Sequence, residues 1–149
     1  MNLIKSACIL LVFLFGTPFF AAAGDYDGSK KLLGSVVRIV EVTKFGIHEN
    51  VDPDVVGLPN FFIIDFNAMM LLPTKESLIR RTSRIQHIEH IENKLILQGV
   101  EEGVDGVNDG LAWSMAISKE SGKIILSAAG DGVAYVVFGT CAPAAHYER

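Results

Sequence analysis

Apolar and polar residues alternate along most of this chain, and no helical period is sustained. In "FFIIDFNAMMLL" the even positions Phe62, Ile64, Phe66, Ala68, Met70 and Leu72 are all apolar, while the odd ones include Asp65 and Asn67. Successive strand residues face opposite sides, so this period of two predicts one half-buried strand, bent near Asn67 and Ala68 and ended by Pro73. "RIQHIEHI" and "KLILQGV" flank Glu92 and Asn93, as two strands joined by a two-residue turn would. Further on, "LAWSMAI" puts Leu111, Trp113, Met115 and Ile117 on one face and the small residues Ala112, Ser114 and Ala116 on the other. A turn at "SKESGK" leads to "KIILSAA", and Gly130–Gly132 turns the chain into "VAYVVFG", which is apolar on both faces. Consecutive strands with short turns make an antiparallel meander.

Upstream the pattern is less regular. "LLGSVVRIVEVTKF", Leu32 to Phe45, has no clean period, and its β-branched side chains favour a strand. "GIHENVDPDVVGLPN" reads as a loop punctuated by Pro53, Gly57 and Pro59, and "TKESLIRRTS" as a polar connection. The expected fold is therefore mainly β, an antiparallel meander forming an open barrel or compact sandwich with at most a short helix.

The first residues change the picture of where the chain goes. Lys5 precedes an apolar stretch from Ala7 to Phe15, Pro18 breaks it, and Ala21 to Ala23 offer small residues to a peptidase. That order is the signature of a secretory signal peptide. The apolar run is too short, and too interrupted by Gly16, Thr17 and Pro18, for a spanning helix. The expected organisation is a signal peptide over 1–23, a flexible leader over 24–31, one β-rich domain over 32–143 and an exposed tail over 144–149. An exported protein, periplasmic or secreted and with no transmembrane span after cleavage, follows from it.

Composition then removes several functions. The whole chain carries a net charge of −4, and losing Lys5 with the signal makes it more acidic. No stripe of lysine and arginine is present to hold phosphates, so nucleic acid is not expected; Arg80, Arg81 and Arg84 read as a solvated cluster. Of the two cysteines, Cys8 goes with the signal, and Cys141 alone cannot form an internal disulfide. Its place in "VVFGTC" suggests a buried small hydrophobe.

Candidate chemistry is sparse. His87 and His90 lie three apart beside Glu89, but on a strand they face opposite sides, and the His-Glu-x-x-His spacing of a zinc site is missing. "EEGVDGVNDG" gathers Glu101, Glu102, Asp105 and Asp109, and Asp105, Asp109 and Gly110 match three positions of a calcium loop. Val107 and Ala116 stand where two further ligands would be needed, so a solvated hairpin loop is expected. The same acids lack the aromatic wall that would raise one of them for hydrolysis. Ser35 and Ser114 lie outside any nucleophile elbow, and Cys141 could meet His146 only if the tail folds back. No catalytic residue, metal or cofactor is expected.

The block from "NFFIIDFNA" through "KLILQGVEEG" and "GLAWSMAISKESGKIILSAAGDG" to "VAYVVFGTCAP", about Asn60 to Pro143, resembles small exported bacterial proteins of unassigned function. Its most specific pieces are Trp113-Ser114 before the "SKESGK" turn and the "FGTCAP" ending. The resemblance implies an exported β-domain and carries no catalytic residue. The large apolar side chains Phe62, Phe66, Trp113 and Phe138 are the candidate ligand-binding residues, for an apolar small molecule, a lipid or an envelope component. An inhibitor or assembly factor docking an envelope protein through a sheet edge or the Ala112 and Ala116 face is the alternative. A hydrolase using the carboxylates of loop 101–110 stands third.

Overall fold

The computed structural model describes residues 24–103, 106–107 and 109–144. The expected signal peptide, Asp105 of the acidic loop and His146 of the tail lie outside the described residues. Among the described residues nine strands are formed: β1 (Leu32–Thr43), β2 (Gly46–Glu49), β3 (Phe61–Asp65), β4 (Met70–Pro73), β5 (Ser83–Ile91), β6 (Lys94–Glu101), β7 (Leu111–Ser118), β8 (Lys123–Ala129) and β9 (Val133–Pro143). They lie in the order β2-β1-β3-β4-β5-β6-β7-β8-β9, and β1 also pairs with β9. The mainly β, antiparallel fold read from the sequence is present, and its barrel is closed by eight strands, with β2 a short flap on β1. One 3-10 turn, Pro53–Val56, is the helical element of the described residues.

Alternation fills the barrel. Leu95 and Leu97 of β6, Met115 and Ile117 of β7, and Leu32 and Ile64 of β1 and β3 are fully buried. Two cross-strand pairs let the wall curve around this core. Gly34 lies opposite Phe62 and Gly99 opposite Trp113. A Cβ at Gly34 would fall 2.4 Å from the Phe62 ring; one at Gly99 would fall 2.4 Å from the Trp113 ring and 2.1 Å from the Arg84 carbonyl oxygen. Each glycine thus makes room for the ring of its neighbour to lie across the strand. Register shifts between Val36 and Arg38 and between Ile85 and His87 add curvature at two more points.

Three segments differ from the sequence reading. The single strand expected over 62–72 is the hairpin β3–β4, turning at residues 66–69 with Met69 at φ 55°. The turn is held by Asp65, whose Oδ1 accepts from the Ala68 N–H at 3.0 Å and whose Oδ2 meets Lys31 Nζ at 2.9 Å. Burial pushes the Asp65 carboxyl up; the Ala68 N–H, Lys31 and the Asn67 N–H outweigh it, so the group lies below its ordinary value and stays charged. Residues 46–49, read as loop, form β2. The leader is not loose but docked: Tyr26 packs on the core and lies against Gly122, Gly28 sits beside Leu95 and Phe66, and Lys31 O accepts from Ala144 N at 2.9 Å.

Strand direction sorts the connections between two rims. The leader and the turns at 66–69, 92–93 and 119–122 close one end, and the segments 50–60, 74–82, 102–103, 109–110 and 130–132 surround the other. The close approach at Gly99 gives a direct test. Gly99→Ala should lower unfolding stability by about 3 kcal/mol, because the Arg84 carbonyl is backbone and cannot step aside. Gly132→Ala, in open space at φ 78°, should cost about 1 kcal/mol from conformation alone. Equal losses in urea denaturation would mean that close packing is not what requires glycine at position 99.

Candidate ligand-binding site

The barrel is not filled to its upper rim. Beneath the segment 53–59 lie two small voids of about 60 and 50 Å³. They share Leu58, Leu71, Leu126 and Val137 as apolar walls and Arg81, Ser83 and Glu101 as polar ones. The larger is also lined by Phe62 and Met115, the smaller by Trp113, Ala128 and Tyr135.

The lid over these voids is built locally. Asp52 caps the 3-10 turn by accepting from Asp54 N at 3.1 Å, and Gly57 ends it in the left-handed region at φ 71°. Val51 N donates to Ile39 O at 3.1 Å and Val36 N to Asn60 O at 2.9 Å, so both ends of the segment are stitched to β1. Val56 and Leu58 consequently pack onto the core from above.

Arg81 locks the rim. Its Nη1 donates to Glu101 Oε1 at 2.9 Å and its Nη2 to Asp109 Oδ2 at 2.6 Å, tying the 74–82 segment to the end of β6 and the approach to β7. Ser83 Oγ adds a 3.3 Å hydrogen bond to Glu101 Oε2. Burial pulls the guanidinium pKa down, and the bonds to Asp109 and Glu101 more than restore it, so Arg81 remains a cation. Tyr135, opposite Glu41 across the β1–β9 pairing, has its phenol pushed up by burial and by that carboxylate, with Arg81 partly opposing.

The sequence candidates separate on this geometry. Phe62 and Trp113 line the voids. Phe66 packs at the opposite end of the barrel beside Gly28 and lines neither void. Phe138 is 40% exposed on the outer surface and has no access to the interior, because β9 keeps its two faces distinct although both are apolar. His87 and His90 are both exposed, and no group of metal-ligating side chains forms among the described residues. Glu101 and Asp109, expected in a solvated loop, are instead drawn partly into the rim by Arg81, and Arg81 is the residue that sequence reasoning missed. The available signal lay in β6: alternation puts Glu101 on the inward face with Leu95 and Leu97, and an inward carboxylate needs a cation.

Cys141 is 5% exposed, and its Sγ donates to Gly122 O at 3.2 Å. Burial pushes its thiol from 9.0 to about 11, which agrees with the reading of a buried small hydrophobe. Comparison with family models, with curated proteins and with solved structures finds no match for this chain.

Two outcomes follow from these polar groups. Arg81→Met should cost about 1–3 kcal/mol in denaturant unfolding by stranding Glu101, and adding Glu101→Gln should recover part of that loss. A double variant no more stable than Arg81→Met would dissolve the lock. For Cys141, the folded state favours the neutral thiol, so its contribution is complete below pH 9 and is lost as pH rises towards 11, at about 1.4 kcal/mol per pH unit. The stability difference between wild type and Cys141→Ala should therefore narrow over that range.

Proposed function

We propose that this protein is an exported binding barrel whose interior takes a small, largely apolar molecule. The observation that carries the reading is the pair of apolar-walled voids beneath a lid, in a barrel whose other end is closed by Tyr26, Gly28 and Phe66. A mostly apolar pocket with a few placed polar groups is the usual form of a small-molecule site. At about 60 and 50 Å³ the voids lie well below the ~300 Å³ of an ordinary ligand pocket, so a guest of more than a few atoms enters only if the chamber opens. The lid segment and the Arg81 lock are then the parts that must shift for entry.

A second reading has its own observation. The outward rows Ala112–Ala129–Ala134 and Ala116–Ile125–Phe138 cross β7, β8 and β9 without a charge. Such a smooth face suits a protein partner in the cell envelope.

Native mass spectrometry of the chain from Gly24 onward, purified gently from its export compartment, tests both. The ligand reading expects the chain mass plus a small adduct that is lost on mild activation. A bare chain, together with no binding in a screen of small apolar compounds, would overturn it. A complex with another protein, lost on Ala112→Arg, would establish the second reading instead.

A further inference from the structure

We propose that the outer face of β6, β7, β8 and β9 joins two copies of this chain in a two-fold dimer, each strand running antiparallel across its own image. The dimer is independent of the chamber reading, and it gives the face of the second reading to a second copy of this chain.

The pairing registers set the outward side chains in cross-strand rows. Three successive rows run Phe138–Ile125–Ala116–Ile96, Val136–Ser127–Ser114–Gln98 and Ala134–Ala129–Ala112–Val100, with no charge in any of them. Ile125 is 51% exposed and Phe138 40%, so the first row presents large apolar side chains to solvent. This wall does not suit lipid, which needs an apolar belt around the whole barrel, because neighbouring β5 carries exposed Arg84, His87 and Glu89 on the same rows.

The order along the strands points to the partner. Outward on β8 stand Lys123, Ile125, Ser127, Ala129 and, just beyond its end, Asp131. Outward on β6 stand Lys94, Ile96, Gln98, Val100 and, just beyond its end, Glu102. Both strands read basic, larger apolar, polar, smaller apolar, acidic. A two-fold axis lying along the Ser127–Ser114–Gln98 row turns this order onto its own reverse. Lys123 then meets Asp131 of the second copy, Lys94 meets Glu102, Ile125 meets Ala129 and Phe138 meets Ala134, each contact being made twice. Large side chains over alanines and cations over carboxylates make the face self-complementary, as an isologous interface requires. With their charged margins the rows on these four strands cover about 650 Å² per copy, or about 1,300 Å² for the pair, within the range of specific interfaces. Two other charges border the face and are already engaged. Arg38, which ends the large row on β1, pairs with Glu49 at 2.6 Å, and Lys44 at the acidic margin lies over the Phe45 ring.

Light scattering of the chain from Gly24 onward, eluted from a size-exclusion column at increasing loads, tests the dimer. Twice the chain mass should appear at high load and return to a single chain in Ile125→Lys. Lys123→Asp and Asp131→Lys each set two like-charged pairs against one another, and each should weaken the dimer about tenfold. The two reversals together should restore it. Residues 123 and 131 stand at opposite ends of one strand, so this rescue cannot come from pairing within a chain. A single chain at every load would overturn the dimer and leave the chamber reading untouched. A dimer that ignores Ile125→Lys, or a double reversal no tighter than the single ones, would overturn this interface. A single chain that instead forms a complex with an envelope protein, lost on Ala112→Arg, would give the face to that protein and overturn self-association.

Discussion

Everything in this protein is held in place by the antiparallel ladder between β1 and β9, which runs from Leu32 opposite Pro143 to Thr43 opposite Val133. An open sheet of these strands would leave two rows of backbone groups without partners and its apolar face against water. Joining the first strand to the last satisfies both rows and turns one sheet face into a core. The glycine–aromatic pairs and the two bulges serve this closure, since a sheet this narrow must bend sharply. The lid and the arginine lock exist only because closure creates a mouth for them to cover.

The chamber and the core are one feature at different depths. Low in the barrel, Leu95, Leu97 and Ile117 are fully buried and line neither void. Towards the rim, Ala128 is small and Ser83, Glu101 and Tyr135 carry polar atoms, so packing gives way to voids and paired charge. Arg81 reconciles these: it neutralises an inward glutamate that the strand period imposes, and it ties the 74–82 segment to Glu101 at the end of β6 and to Asp109 before β7. A lock made of partly exposed ion pairs is also one that can be undone cheaply.

Much of the architecture was legible in the sequence where period and turn chemistry agreed. Ile91 pairs with Lys94 across Glu92 and Asn93, with Glu92 at φ 47°, as the two-residue turn required. The β7 alternation likewise survives intact. The β3–β4 turn was hidden because apolar residues continue through it without glycine or proline, and the feature that makes it, the Asp65 carboxylate bonded to Ala68 N, looks like any polar residue on a strand. Half of the candidate site was readable for the same reason that β7 was: Phe62 and Trp113 follow a clear inward face. Phe138 was not, because a strand apolar on both sides gives no clue to which is in. Arg81 finds its partners 20 and 28 residues away, and nothing in "IRRTS" signals a contact at that range.

The closing ladder also has a consequence in time. Each of the other barrel pairings joins strands close in sequence, and they can form as the chain emerges. The β1–β9 pairing alone must wait for Pro143. Until then a nascent molecule is a curled, unsealed sheet with an apolar face and two sticky margins, the condition in which chains capture one another. The hazardous interval is therefore fixed by topology, and it ends only when the last strand arrives.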